Sequence, residues 1–220
     1  MKRAMTDEAK ALRAQAILDK AAELFETNEY NQIKMSDIAK ETKLSKGILF
    51  VYFKTKEALF FQLLCREYVK RLERFIEIIS ETQIKNLQDI KHLFLKELEE
   101  IIDKNPMYIR LEAIRTSVLE RNVDSDTMLQ SKMMLFEKLT EMTDLLCQNG
   151  VINEAQVMDI FQAEAAIITG CKLTATLPDE VINILENHNM QEFKRDFKTD
   201  VMSTMSFYLD GYLQTLEPQK

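Results

Sequence analysis

The chain has 220 residues, of which 46% are hydrophobic and 30% charged, a composition that argues against wholesale disorder and allows a sizeable core. Its formal charge of −7, taken over the whole chain, disfavours a nucleic-acid partner, because a phosphate backbone attracts basic surfaces. Only 4 glycines and 3 prolines occur, which predicts long helices with few breaks.

The cysteines and the start of the chain favour a soluble, cytoplasmic protein. Cys65, Cys147 and Cys171 are widely spaced and form no CxxC pair, so neither a disulfide framework nor a zinc site is predicted. The first residues, MKRAMTDEAKALRAQ, are charged throughout and lack the apolar stretch of a signal peptide. No apolar run approaches the roughly 20 residues that cross a bilayer. We therefore expect the protein to remain in the reducing cytoplasm.

Charge is distributed unevenly along the chain. Residues 1–56 carry 11 Lys and Arg against 8 Asp and Glu, whereas the remainder carries 18 against 28. A mildly basic segment therefore precedes an acidic one. This division predicts two domains, a mildly basic one at 1–56 and an acidic one at 57–220.

Helical periodicity dominates the basic segment. Its apolar spacing predicts a first helix from about Lys10 to Glu26, ended by Asn28 in the left-handed conformation. The sequence KMSDIAKE, residues 34–41, predicts a second, short helix, and Ser45 is a suitable N-cap for a third that reaches Tyr52. Two short helices separated by a three-residue turn and braced by a longer one predict a helix-turn-helix.

The third helix has an outward face without acidic residues. Leu49 and Phe53, four residues apart, are predicted to face the interior. The residues left on or near the outer side are Lys46, Gly47, Ile48, Phe50 and Val51. Between Thr42 and Lys56 there are four lysines and no Asp or Glu, as contact with phosphates requires. Lys56, in the first turn of a fourth helix capped by Thr55, is unfavourable for the helix dipole, so we expect it to meet an external anion.

The stretch SDIAKETKLSKGILFVYFKTKEAL, residues 36–59, resembles the N-terminal domain of the tetracycline-repressor (TetR) family of bacterial transcription regulators, and ILDKAAELFETNEY, residues 17–30, resembles its first helix. The resemblance implies an all-α fold of about nine helices, with an N-terminal three-helix DNA-binding domain followed by a helical regulatory and dimerisation domain. It also implies that the third helix enters the major groove. The implied DNA-contacting residues are Ser36, Ser45, Lys46, Gly47, Ile48, Phe50, Val51, Tyr52, Lys54 and Lys56.

Some positions depart from the family pattern. Lys43 occupies a turn position that is usually Gly, so a side chain is expected at positive φ with some strain. Ile48 stands where Thr is frequent, which favours contact with a thymine methyl group. Phe50 replaces the usual Tyr and removes one possible hydrogen bond to phosphate. These departures leave the operator sequence open.

The acidic segment predicts further long helices. Their approximate bounds are Leu59–Glu81, Leu87–Asp103, Pro106–Arg121, Ser125–Asn149, Glu154–Thr174 and Glu192–Thr215. The resemblance implies that the last two pack against their twins in a homodimer. The candidate interface residues lie on two apolar stripes and are Ile160, Phe161, Ile168, Val201, Met205 and Tyr208. The same stripes could instead belong to the core of a single chain.

A regulatory cavity for a small, largely apolar effector is also implied by the resemblance. The 12 methionines of the chain can form an adaptable apolar interior, although methionine at helical spacing is more often ordinary core. Tyr108 and Arg115 could orient a ligand in such a cavity. Together with Met133 they are the candidate effector-binding residues.

Catalysis finds little support in the sequence. His92 and His188 are the only histidines, and there is no phosphate-binding glycine loop or nucleophile motif. We therefore expect no enzyme activity, cofactor or metal. The prediction is a ligand-responsive repressor that binds a palindromic operator as a homodimer. Two alternatives remain: a DNA-binding protein of the same fold without a small-molecule effector, and an all-α interaction module that does not bind DNA.

Overall fold

The computed structural model describes residues 7–216, and over that range the chain forms ten α-helices and no strand. The predicted all-α fold is confirmed. Residues 1–6 and 217–220, the ends of the two predicted domains, lie outside the described range. The helices are α1 (Asp7–Thr27), α2 (Met35–Glu41), α3 (Lys46–Tyr52), α4 (Lys56–Glu81), α5 (Leu87–Lys104), α6 (Pro106–Glu112), α7 (Ser125–Cys147), α8 (Glu154–Ala175), α9 (Asp179–Asn187) and α10 (Phe197–Leu216).

Two predicted helices differ from the observed ones. The sixth ends as an α-helix at Glu112, and the chain continues as a π-helical turn, Arg115–Leu119, followed by a 3₁₀ turn. In the π turn the Leu119 amide donates to the Ile114 carbonyl at 3.2 Å, a five-residue spacing. Helix α9, a short helix in which only Leu185 is buried, was not predicted from the sequence. The last helix was predicted to begin at Glu192 but begins at Phe197, because residues 191–193 form a separate 3₁₀ turn.

The chain divides into two compact units that are discontinuous in sequence. The first contains the residues up to Glu67 together with Ile114–Met133, and the second contains Tyr68–Ala113 and the residues from Met134 onward. Helices α4 and α7 each contribute residues to both units. No helix within residues 7–216 is long and apolar enough to cross a membrane.

The core of the first unit is built around aromatic rings. The Phe60 ring makes edge contacts with Phe25 and Tyr30, with centroids 5.4 and 5.2 Å apart. Ile38 of α2 and Leu49 of α3 are fully buried. All three helices of the predicted helix-turn-helix region therefore contribute apolar side chains to the interior, which fixes the face that α3 leaves outward.

The turn between α2 and α3 has a left-handed residue, as predicted for Lys43. Its φ is 56°. The Leu44 amide donates to the Ala39 carbonyl at 2.9 Å and the Lys43 amide donates to the Lys40 carbonyl at 3.1 Å, which together form a Schellman motif. The corresponding prediction for Asn28 is wrong, since Asn28 is not among the described residues with positive φ. Its side chain instead donates to the Leu24 carbonyl at 2.8 Å.

The second unit combines an apolar core with a buried polar cluster. Phe161 of α8 contacts Phe94 of α5 and Phe75 of α4 with ring centroids 5.5 and 6.0 Å apart. Helix α10 packs against both α5 and α8. Two charged residues, Arg71 of α4 and Glu97 of α5, are almost completely buried in the same unit. The core of this unit therefore contains charge.

Candidate nucleic-acid interface

Helix α3 presents a mixed apolar and basic face to solvent. Leu49 is fully buried and Phe53, its C-cap, is 2% exposed, as the sequence predicted. On the other side Val51 is 81% exposed, and Ile48 and Phe50 are each more than 40% exposed. Monomeric proteins seldom leave such a group of apolar side chains in water unless the surface binds a partner.

The beginning of α3 lacks acidic residues and is well capped. The Ser45 hydroxyl oxygen accepts a hydrogen bond from the Ile48 amide at 3.3 Å, so the predicted N-cap is confirmed. No acidic residue occurs in the first turn, where Lys46 and Gly47 are exposed. The cap and the helix dipole leave this end of α3 favourable for a phosphate.

The remaining DNA-contact candidates have different surroundings. Ser36 is half-buried and its hydroxyl donates to Asp37 Oδ1 at 3.4 Å. Tyr52 is half-buried, whereas Lys54 is exposed. The structure therefore leaves the α3 candidates other than Tyr52 exposed, and it places Ser36 on the neighbouring helix.

Lys56 has intramolecular partners that sequence reasoning did not find. Its ammonium donates to the carbonyls of Tyr30 and Ile33 at 2.9 and 3.1 Å and lies 3.8 Å from the centroid of the Tyr30 ring. The Tyr30 hydroxyl in turn donates to Glu57 at 3.1 Å. Partial burial lowers the pKa of Lys56. Lys56 thus holds the loop between α1 and α2, which explains a lysine at a helix start without any external anion.

The candidate dimer residues are mostly internal, which corrects that prediction. Ile160, Ile168, Val201 and Met205 are fully buried within the chain, because α8 and α10 pack against each other and against other helices of the unit. Phe161 packs on aromatic rings of the same unit. Side chains with no exposed surface cannot gain contacts from a second copy. For these four fully buried side chains the structure favours the alternative interpretation, an intrachain core.

Tyr208, the last of the interface candidates, is half-buried. Its ring stacks on that of Tyr212, with centroids 5.5 Å apart, and both hydroxyl groups reach Asp159 of α8. The outer side of the same two helices carries different residues. Phe207 is 75% exposed and Leu173 is 64% exposed.

The three effector candidates belong to two different units. Tyr108 is fully buried in the second unit, whereas Arg115 and Met133 belong to the first. Arg115 is 3.3 Å from Glu120, and Met133 is 57% exposed. The second unit has a groove of about 590 Å³ between the start of α5 and the end of α10, and none of the three candidates lines it.

Tyr108 instead belongs to a buried polar cluster centred on Arg71. The guanidinium donates two hydrogen bonds to Glu97, at 2.8 and 2.9 Å, one to the Tyr108 hydroxyl at 2.7 Å, and one to Glu164. The Tyr68 hydroxyl donates to Glu112 at 2.6 Å, and its ring contacts that of Tyr108. Hydrogen bonds between these buried polar and charged side chains therefore connect α4, α5, α6 and α8.

This cluster carries more negative than positive charge. The pKa of Glu164 is raised to about 7, chiefly by burial and also by the nearby Glu97 and Glu112, against an opposing contribution from Arg71. Glu164 Oε2 finds no hydrogen-bond partner among residues 7–216. The sequence held a signal for this feature, since Glu164 lies four residues from both Ile160 and Ile168 on one apolar stripe.

The capped α3, braced by α1 and α2 with its basic face outward, defines a helix-turn-helix DNA-binding regulator. Residues 17–63 match the model of bacterial regulatory proteins of the tetR family, and residues 67–215 match that of the tetracyclin repressor-like C-terminal domain. The chain belongs to the TetR family of transcription regulators.

Similar proteins include two from Bacillus subtilis (strain 168). The chain is 40% identical to the HTH-type transcriptional regulator YuxN over 62 residues, which cover 28% of this chain and 21% of that protein, so the match spans about a fifth of YuxN. It is 24% identical to the regulator YdgC over 183 residues, covering 77% of this chain and 88% of YdgC. A TetR transcriptional regulator from Rhodococcus sp. RHA1 has a similar fold, with a TM-score of 0.58, 15% identity, and coverage of 96% and 99% of the two chains.

Proposed function

We propose that the protein represses transcription in the cytoplasm as a homodimer on a palindromic double-stranded operator. Helix α3 of each chain would enter one of two successive major grooves about 34 Å apart. The observation that carries the proposal is the outward face of α3, where Lys46, Ile48 and Val51 are exposed while Leu49 is buried. The absence of Asp and Glu between Thr42 and Lys56 supports an anionic partner.

The α3 residues suggest a division between base and phosphate contacts. Ile48 offers an apolar contact to a thymine methyl group. A Cβ added to Gly47 would meet only Ser45 Oγ, 4.0 Å away, so the fold does not require glycine here and close approach of DNA gives it a reason. Lys46 and Lys54 are suited to phosphates. The hydroxyl groups of Ser36, Ser45 and Tyr52, and the exposed Phe50 and Val51, complete the proposed surface.

Lys56 would contribute to DNA binding mainly by ordering the loop between α1 and α2. Two of the three protons of its ammonium are used by the carbonyls of Tyr30 and Ile33, which leaves one for a phosphate. Replacing Lys56 would disturb the α1–α2 loop as well as remove a charge. Lys46, which is exposed, therefore gives a cleaner test of phosphate contact.

The proposed dimer would use the outer faces of α8 and α10. The exposed Leu173 and Phe207 provide apolar surface, and the exposed Ala166, Gly170 and Gly211 allow helices to approach closely. A two-fold arrangement buries the same patch on both copies. It also supplies the symmetry that a palindromic operator requires.

Regulation would act through α4, which contributes residues to both units. We expect a small, largely apolar effector to bind the second unit and change the separation of the two α3 helices. Such a ligand shifts the equilibrium only through its different affinities for the two states. Thermal-shift screening that finds no stabilising ligand, together with tight operator binding, would favour regulation without an effector.

The test is selection of bound fragments from the source genome, followed by anisotropy titrations at several salt concentrations. Lys46→Ala should weaken binding to all sequences and reduce the salt slope by about 1.8, because each of the two bound chains loses one phosphate contact. Ile48→Thr should change base preference more than overall affinity. Lys85→Ala, which removes an exposed lysine of the second unit, is the matched charge control and should change neither. Two chains should bind each operator.

Absence of salt-dependent affinity for any fragment would reject the proposal and favour an interaction module. An unchanged slope in Lys46→Ala would remove that residue from the phosphate contacts. An identical preference profile in Ile48→Thr would remove Ile48 from the base-reading set.

A further inference from the structure

The turn that follows α3 is held by a segment distant in sequence. Lys54 Nζ lies 3.5 Å from Asp124 Oδ1, and the Thr55 hydroxyl donates to the Asn122 carbonyl at 3.1 Å. All four residues belong to the first unit. A carboxylate from outside the stretch Thr42–Lys56, which itself contains no acidic residue, is thereby placed beside one of its lysines.

Asp124 is fixed in position independently of Lys54. Its two carboxylate oxygens accept hydrogen bonds from the amide and the hydroxyl of Thr127 at 3.3 and 2.9 Å. Its carbonyl accepts from the Met128 amide at 2.9 Å. Asp124 is therefore the N-cap of α7, with the geometry that stabilises a helix start. The hydrogen bonds from Thr127 lower its pKa, with a smaller contribution from Lys54, so the carboxylate stays ionised at neutral pH.

Lys54 is the more exposed partner of this pair. Its side chain is 73% exposed, against 30% for Asp124. An exposed ion pair contributes little to stability and is readily exchanged for another anion. Lys54 can therefore turn from the fixed carboxylate to a phosphate, but that phosphate would then lie within the Debye length of Asp124, about 8–10 Å at physiological salt.

We propose that Asp124 limits the affinity of the protein for DNA by competing with an operator phosphate for Lys54. The inference rests on the proposed function, because it concerns one contact of that DNA surface. Asp124 has two roles: its hydrogen bonds cap α7, and its charge opposes phosphate binding at the turn after α3. Since α7 continues into residues of the second unit, a change in α7 that moves Asp124 from Lys54 would raise DNA affinity.

The two roles can be separated by a single substitution. Asp124→Asn keeps a side chain that caps helices as well as Asp but removes the charge. With an operator fragment obtained by genomic selection, anisotropy titrations should show roughly three- to tenfold tighter binding at low salt and a salt slope steeper by up to about two units, one for each bound chain. In a Lys54→Ala background the same substitution should give only the small gain in affinity that comes from removing a nearby negative charge.

The matched control is Asp126→Asn, which removes the same charge from the exposed first turn of α7. Its gain in DNA affinity should be much smaller than that of Asp124→Asn. Thermal unfolding reports whether the cap survives, and Asp124→Ser, a second capping residue without charge, replaces Asp124→Asn if that variant unfolds. The inference is overturned by an unchanged salt slope, by a gain that persists undiminished without Lys54, or by an equal gain in Asp126→Asn.

These outcomes differ from failure of the proposed function. A wild-type chain that binds no DNA in a salt-dependent manner rejects both proposals. A wild-type chain that binds its operator, with an Asp124→Asn variant of the same affinity and slope, rejects only the role of Asp124.

Discussion

The two units use charge in opposite ways. On α3 and the turn after it, Lys46 and Lys54 are exposed, and the exposed side of the helix carries no carboxylate of its own. In the second unit Arg71 is 5% exposed and is surrounded by carboxylates and a tyrosine hydroxyl. Exposed charge contributes little to folding and remains available to a partner, whereas buried charge must be matched inside the molecule or it destabilises the fold. The first arrangement suits recognition, and the second suits fixing helices in one arrangement.

The largest effect is expected from removing Arg71, the cation at the centre of the buried cluster. Arg71→Met leaves Glu97 and Glu164 buried without a partner, which should cost about 3–5 kcal/mol of unfolding free energy. Urea titration followed by circular dichroism measures it. Arg74→Met is the control, since Arg74 lies on the same helix and pairs with Glu77 and Glu100 at the surface. Its loss should be far smaller, and equal losses would break the distinction between buried and exposed charge.

A second prediction concerns the excess negative charge of the cluster. The groups that face Glu164 are Arg71 of α4, Glu97 of α5, and Tyr108 and Glu112 of α6. Because the pKa of Glu164 is raised from 4.5 to about 7 in the folded chain, the folded state keeps a proton that the unfolded state loses. Stability should therefore fall as pH rises from about 4.5 to 7, by up to about 3 kcal/mol at 1.4 kcal/mol per unit, and change little above.

Glu164→Gln, which resembles the protonated acid, should reduce that slope and make the protein more stable than wild type at pH 8; the part that remains belongs to Glu97, whose pKa burial also raises. Urea titrations at pH 5, 6, 7 and 8 measure both effects. Glu100→Gln is the control, because Arg74 and Lys104 lower the pKa of Glu100 to about 2 and it stays ionised across the range. A Glu164→Gln variant that keeps the wild-type slope would show that Glu164 does not carry the proton.

What the sequence predicted correctly was local. Ser45 and Thr55 cap the next helix, and Leu49 faces inward, because caps and helical periodicity depend on residues within one or two turns. The Lys56 contacts and the Asp124–Lys54 pair were not predictable, since their partners lie 23 or more residues away. An apolar stripe reveals that a helix face is covered, but not which neighbour covers it.

The dimer stripes of α8 and α10 illustrate that limit. Their apolar spacing was correctly recognised, but Ile168 and Val201 are covered by helices of the same unit. The exposed Phe207 and Leu173 have no such regular apolar neighbours in sequence. Only the packed helices distinguish the inner face from the outer one.

The smallest expected effect concerns backbone strain at Lys43, in the turn before α3, which a substitution to glycine would relieve. A non-glycine residue in the left-handed region costs about 1–2 kcal/mol, and Lys43 has φ of 56°. Lys43→Gly should relieve that cost but lose about 0.5–1 kcal/mol to the greater freedom of glycine in the unfolded chain. We therefore expect a net gain of about 0.5–1 kcal/mol in unfolding free energy, measured by urea titration. Lys43→Ala, which removes the charge without relieving the backbone, should give no gain.

Asn189 provides the matched comparison in the second unit, because it ends α9 with φ of 54°. Asparagine tolerates this conformation better than lysine, so Asn189→Gly should stabilise less than Lys43→Gly. Equal gains would mean that the strain at Lys43 is ordinary for a helix end. The alternative outcome is a larger gain in stability at Lys43 and weaker operator binding by both Lys43→Gly and Lys43→Ala. It would mean that the lysine charge serves DNA binding at the expense of stability, in line with the exposed lysine of α3.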